Sequence, residues 1–168
     1  MRGRAHSNRV CTERDTWGTP VDFYARLDRI FHFNLDAAAT AQNTLCDHYI
    51  TPEQDALTVP WLSVNTVRSR AWCNPPYSRG WKEAFCEKAI EEVRAGHAEM
   101  VAMLLPINTA DGYWTQWVTP HAAEILFVEG RLKFKGAPSC ADFPSAVVIY
   151  RAHIAGPAFG TIKAREAT

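Results

Sequence analysis

The sequence predicts a single α/β domain whose sheet is parallel at its centre. Three observations carry that expectation. A strand-like stretch from Val67 to Trp72 runs into a turn with two prolines, and a helical stripe closed by Gly96 follows. Next comes Met100 to Leu105, a continuous apolar run ended by Pro106. Strand, turn, helix and a strand buried on both faces make a βαβ unit, whose crossover is right-handed. The third observation is scale: 168 residues, 47% hydrophobic and 21% charged, describe one folded globular domain rather than a disordered chain.

The elements read in order as follows. Residues 1–15 form a basic arm, with arginines at 2, 4, 9 and 14 and no apolar period; residues 16–155 form the domain. Thr19-Pro20-Val21-Asp22 is a helix start, with the hydroxyl at N-cap and proline at the first helical position. Phe23, Leu27, Ile30 and Phe31 then share one helical face. Phe33 to Ala37 is a short strand that delivers Asp36 to its C-terminal edge. Thr40 to Trp61, broken at Thr51-Pro52 and Val59-Pro60, reads as a short helix plus loops. Trp81, Phe85, Ala89 and Val93 make the stripe of the central helix, and Thr109 to Val118 supplies a shorter one. Glu124 to Val128 and Arg131 to Lys135 are strands joined at Gly130, Ala146 to Tyr150 is a buried strand, and 156–168 is a tail.

Charge and cysteines narrow the function classes. Lys plus Arg (18) equals Asp plus Glu (18), so any attraction to nucleic acid comes from local clusters. Five scattered cysteines suit a reducing cytoplasm, and Cys46-x-His48 with Cys73 matches no zinc spacing, so no metal is expected. No apolar run approaches membrane-spanning length, and MRGRAHSNRV has no apolar h-region, so neither secretion nor membrane insertion is expected.

The chemistry concentrates at Asn74-Pro75-Pro76-Tyr77. Ligands of open parallel sheets sit outside the C-terminal strand ends, where both this turn and Asp36 are expected. Two prolines stiffen the turn and leave the Asn74 side-chain oxygen and the Pro75 carbonyl oxygen as fixed acceptors, a pair suited to an amino group. Tyr77 adds a flat face on which an extruded base could stack.

These residues resemble the Asn/Asp-Pro-Pro-Tyr signature of amino-group methyltransferases that use S-adenosylmethionine. The surroundings sharpen the likeness: Trp17-Gly18-Thr19-Pro20, F-N-L-D-A-A-A-T from Phe33 to Thr40, Thr51-Pro52-Glu53-Gln54-Asp55, Met103-Leu104-Leu105-Pro106, Gly130-Arg131-Leu132-Lys133-Phe134 and Pro144-Ser145-Ala146-Val147-Val148. Together, over residues 16 to 151, they resemble the short phage-type, Dam-like DNA N-6-adenine methyltransferases. The resemblance implies a Rossmann-like fold, mostly parallel with a C-terminal antiparallel strand or hairpin. It implies S-adenosylmethionine as cofactor, with Thr19 and Pro20 near its methionine end, Asp36 beside its amino group, Asp55 at its adenosyl part and Ala37 as a further cofactor contact. It also implies DNA as partner, the cytoplasm of a bacterial host as location, Asn74, Pro75, Pro76 and Tyr77 as the catalytic turn, and Phe134 closing the other face of the target base. The Asp36-Ala37-Ala38-Ala39-Thr40 loop lacks the glycines usual after this strand, which a ligand without pyrophosphate tolerates.

Arg131, Lys133 and Lys135 would share one strand face, a phosphate-facing ridge joined by Arg79 and Lys82 or else a charged edge strand. The turn alone does not separate DNA from RNA or a protein glutamine amide as substrate, nor an enzyme from a DNA-binding relative that has lost its cofactor.

Overall fold

The computed structural model describes residues 12–63, 68–152 and 156–165, so the expectations on the arm before Thr12 and on Val67 lie outside the described residues. Six strands form one sheet: β1 (Leu35–Asp36), β2 (Ser69–Cys73), β3 (Ala98–Pro106), β4 (Glu124–Glu129), β5 (Ser145–Arg151) and β6 (Ala158–Lys163). Their order is β1-β2-β3-β5-β4-β6. The pairs β1·β2, β2·β3 and β4·β6 are parallel, and β5 runs antiparallel to both its neighbours. Every strand except β5 therefore ends at the same edge. The Rossmann-like α/β class and its late antiparallel strand are as expected.

Side-chain alternation sorts the core into two halves. Helix α1 (Val21–Phe31) covers one face through Phe23, Tyr24, Leu27 and Phe31, packed on Trp72, Met100, Leu104 and Ile149. Helix α2 (Trp81–Ala95) covers the other through Phe85, Cys86, Ala89 and Val93, packed on Ala71, Val101, Met103 and Val148. Strand β3 is buried from Met100 to Leu105 because both faces carry a helix. Gly96 ends α2 at φ 77°, and its N–H reaches the carbonyls of Glu92 and Val93.

Several local expectations are corrected. The N-cap of α1 is Pro20 rather than Thr19, which is buried and makes no side-chain cap. Residues 40–61 contain turns and no helix, because side-chain oxygens take the amides a helix would need: Asn43 Oδ1 accepts from Thr40 N (2.6 Å), Gln54 Oε1 from Thr51 N (2.8 Å) and Asp55 Oδ1 from Leu57 N (3.1 Å). Thr109 to Val118 yields a π-helix at Trp114–Val118. Arg131 to Lys135 is not a sheet strand, since β4 is already paired on both sides by β5 and β6; among the described residues it makes one bridge, between Lys135 and Gly18 (N to O 2.8 and 3.0 Å). The alternation survives, with Leu132 and Phe134 buried and the three cations exposed. Within 156–168, residues 158–163 are strand β6 rather than tail.

One buried carboxylate ties α2 to the loop before β2. Glu92 accepts from Trp61 N (2.7 Å) and Lys88 Nζ (2.5 Å) and faces His97 Nδ1 at 3.0 Å. Trp61, wholly buried, donates its indole N–H to Ala56 O (2.7 Å), while Ser69 Oγ donates to Trp61 O (2.5 Å). Glu92→Ala strands the buried Lys88 ammonium and should cost about 3–5 kcal/mol of folding stability in urea titrations. A loss below about 1 kcal/mol would show that Trp61 is held by packing alone.

Candidate active site

Strand β2 is hydrogen-bonded on both sides, and Pro75 and Pro76, which have no N–H, stop it and turn the chain out at the shared edge. The turn stands between two clefts. The larger, about 550 Å³, is bounded by Ala37 to Thr40, Ile50, Asp55, Asn74, Pro76, Trp81 and Lys135. The smaller, about 460 Å³, is bounded by Tyr77, Ser78, Lys82, Asn108, Asp111 and Phe143. Asp15 lines both.

The Asn74 amide donates to Trp17 O (3.0 Å), and its Oδ1 accepts from the Tyr77 hydroxyl (2.8 Å). That hydroxyl also lies 3.0 Å from Leu104 O, so its single proton is shared between two acceptors. Burial holds the Tyr77 phenol well above its ordinary range, which keeps it a donor. The Asn74 oxygen, expected to be unused, is thus occupied by the turn's own tyrosine.

Asp15, in the 3₁₀ helix Glu13–Thr16, fixes the far side of the turn. Its Oδ1 accepts from Tyr77 N (2.7 Å) and Ser78 N (2.9 Å), and its Oδ2 from Ser78 Oγ (2.5 Å) and Thr12 N (2.6 Å). Burial pushes its carboxyl up, but hydrogen bonds from Ser78 and Thr12 outweigh that and hold it below the usual aspartate value.

Asp36 sits behind the larger cleft and is not among its lining residues. Its Oδ1 faces Ala38 N at 3.4 Å and its Oδ2 accepts from Leu45 N at 3.2 Å, so it shapes the glycine-free loop from within. Burial pushes its carboxyl from 3.8 up to about 6, against those two amides. Asp55 does line the cleft, held at φ 55°. Ala37 lines it too, whereas Thr16 and Gly18 form the wall where Thr19 and Pro20 were expected.

Phe134 is 2% exposed, with Trp17 stacked on it at 6.2 Å between centroids and Tyr77 edge-on at 6.1 Å. Half-buried Phe143, edge-on to Tyr77 at 5.8 Å, rather than Phe134, joins Tyr77 in lining the smaller cleft. Lys82 does not join a phosphate-facing ridge: it is 8% exposed, donates to Tyr77 O (2.8 Å) and lies 5.3 Å from the Tyr113 ring centroid. Arg79, Arg131, Lys133 and Lys135 are exposed. Sequence reasoning missed Asp15 and Phe143; the available signal for Asp15 was a lone aspartate in a basic stretch directly before Trp17-Gly18-Thr19-Pro20.

A family profile described as DNA N-6-adenine-methyltransferase (Dam) matches residues 6–158. A DNA N-6-adenine-methyltransferase of Escherichia phage T1 is 36% identical over 120 residues, covering 71% of this chain and 47% of that protein. One of Haemophilus phage HP1 (strain HP1c1) is 32% identical over 124 residues, covering 73% of this chain and 66% of that protein. The chain thus spans about half the length of the first relative and just under two thirds of the second.

Two outcomes follow from this geometry. Asp15→Ala removes an ionised acceptor from two turn amides, so it should cost about 1.5–3 kcal/mol and speed amide exchange at Tyr77 and Ser78; unchanged protection there would detach the 12–16 segment from the turn. Asp36 gives a pH signature. Its folded pKa lies above its unfolded one, so the folded state binds more protons between about pH 4 and 6, and stability falls as pH rises through about 6. The drop should be about 3 kcal/mol, and Asp36→Asn should remove it. Urea titrations from pH 4 to 8 that superimpose for both proteins would place no strained carboxylate at Asp36.

Proposed function

The chain belongs to the DNA N-6-adenine-methyltransferase family, and from that premise we propose that it transfers a methyl group from S-adenosylmethionine to the 6-amino group of adenine in DNA. The observation that carries this reading is the placement of one rigid turn between two ligand-sized clefts, with Asn74 on the larger and Tyr77 on the smaller.

The larger cleft suits the cofactor. Its volume of about 550 Å³ lies in the range of small-molecule pockets. Trp81, Phe85 and Ile50 offer apolar surface for a purine and a thioether chain, Asp55 offers an acceptor for hydroxyls, and Lys135 offers a cation for a carboxylate. Asp36 supports the wall from behind rather than pairing with the ligand's ammonium directly. Bound there, S-adenosylmethionine supplies an electrophilic methyl group on a sulfonium.

The smaller cleft takes the extruded adenine against the Tyr77 ring, with Phe143 at its border. As the base arrives, its amine takes over the Asn74 oxygen, and the Tyr77 hydroxyl keeps Leu104 O as its acceptor. Asn74 Oδ1 and the Pro75 carbonyl oxygen then hold the amine's hydrogens, aim its lone pair at the methyl carbon and stabilise the positive charge that builds on nitrogen. The Asn74 amide stays on Trp17 O, which keeps its oxygen and not its nitrogen facing the amine. No protein nucleophile takes part; burial pushes the neighbouring Cys73 thiol well above its ordinary range. The free thiols at Cys46, Cys73, Cys86 and Cys140 suit the reducing cytoplasm of a bacterial host.

Incubation with methyl-labelled S-adenosylmethionine and separate pools of duplex DNA, RNA and protein should label DNA alone. Asn74→Ala should lower turnover by about 100-fold or more with cofactor affinity nearly intact. Tyr77→Ala should lose stacking worth about 1–3 kcal/mol, while Tyr77→Phe keeps the ring and loses the donor that holds the resting Asn74 oxygen, a smaller effect on turnover. Full turnover in Asn74→Ala would remove amine methylation from this site.

A further inference from the structure

Strand β6 begins where the family match ends, at residue 158, and it builds a second feature on the edge that carries the active site. It lies close against β4: a Cβ at Gly160 would meet Leu126 Cδ2 at 2.8 Å, so glycine permits the approach. The two strands finish side by side, with Glu129 opposite Lys163. Beyond them opens a cleft of about 470 Å³ bordered by Arg131, Lys163 and Arg165, with Glu129 as its one carboxylate.

The cleft is braced from behind. Arg26 Nη2 donates to the carbonyls of Lys163 (2.9 Å) and Ala164 (3.0 Å), Ala164 N donates to Glu129 O (2.9 Å), and Arg165 Nη2 donates to Cys140 Sγ (3.2 Å). Arg131, Lys163 and Arg165 are exposed, and none of the three is ion-paired among the described residues. Three cations without an ion pair among the described residues, around one acid, form a surface for an anion, and two guanidinium groups favour phosphate.

We propose that this cleft receives a backbone phosphate of the DNA whose adenine enters the active site. The proposal rests on the methyltransferase reading above and adds a contact to it. Strands β4 and β6 run in the same direction as β2 and stand three and four places from it in the sheet. At the usual spacing that is about 14–19 Å from the Asn74 turn, or about five base pairs at about 3.4 Å of duplex axis each. The neutral overall charge gives the site its importance, since local clusters must supply the attraction to DNA.

The test compares the parent with Lys163→Ala/Arg165→Ala, using one duplex that contains a methylatable adenine. In the double variant the slope of log affinity against log salt should shrink by about one unit, the share of a single phosphate. Its affinity for S-adenosylmethionine should stay within about twofold of the parent's, and Lys163→Arg/Arg165→Lys should restore the slope. Trimming one flank of the duplex to about three base pairs, each side in turn, should weaken the parent on one side and leave the double variant unaffected. An unchanged slope, or equal effects of trimming on both proteins, overturns the cleft as a phosphate site. A parent that methylates no DNA overturns instead the reading of the active site, and is measured first.

Discussion

Strand β2 is paired along both edges and then meets two residues that cannot donate to either neighbour. Pro75 and Pro76 have no N–H, so the ladder ends at Trp72 toward β1 and at Cys73 toward β3, and the chain leaves the sheet at its C-terminal edge. The loop after β1, the 3₁₀ helix before α1 and the exit of β3 all take positions around that departure. The first amides past the prolines, at Tyr77 and Ser78, would be orphaned at the sheet edge without Asp15, which takes both. The turn is therefore fixed from outside as well as by its own stiffness.

The two buried carboxylates illustrate how surroundings decide what an acid does. Glu92 has an ammonium, an amide and an imidazole around it, so it serves as a structural knot. Asp36 has two amides at 3.2 and 3.4 Å and, among the described residues, no cation, so burial outweighs its hydrogen bonds. It bends the loop that follows it by drawing the amides of Leu45 and Ala38 inward. Burial thus holds this carboxyl above its ordinary range behind the wall of the cleft, a common location for strain held by the rest of a fold.

Local pattern revealed most of the architecture. The stripe of α2 with its Gly96 stop, the apolar run of β3 and the Asn74 turn are all visible because neighbours in sequence determine them. What escaped was settled by distant partners. Residues 131–135 alternate as a strand should, yet β6 has taken the place beside β4 that a hairpin would have filled. β6 itself has no buried stripe to betray it, since both of its faces are largely exposed. Phe134 and Phe143 look interchangeable along the chain, and only Trp17, far away in sequence, shows which ring is covered. Asp15 contacts residues more than 60 positions later, a relation that no local spacing announces.

The segment around Asp15 forms part of both clefts, and this common wall has a thermodynamic consequence. An occupant of either cleft that shifts the wall changes the affinity of the other, and the factor is the same in both directions whichever arrives first. Occupants of the two clefts are in that sense reciprocal ligands joined through one carboxylate. Any preferred order of arrival then belongs to the rates of entry, because the free energy of the fully occupied state is independent of the route taken to reach it.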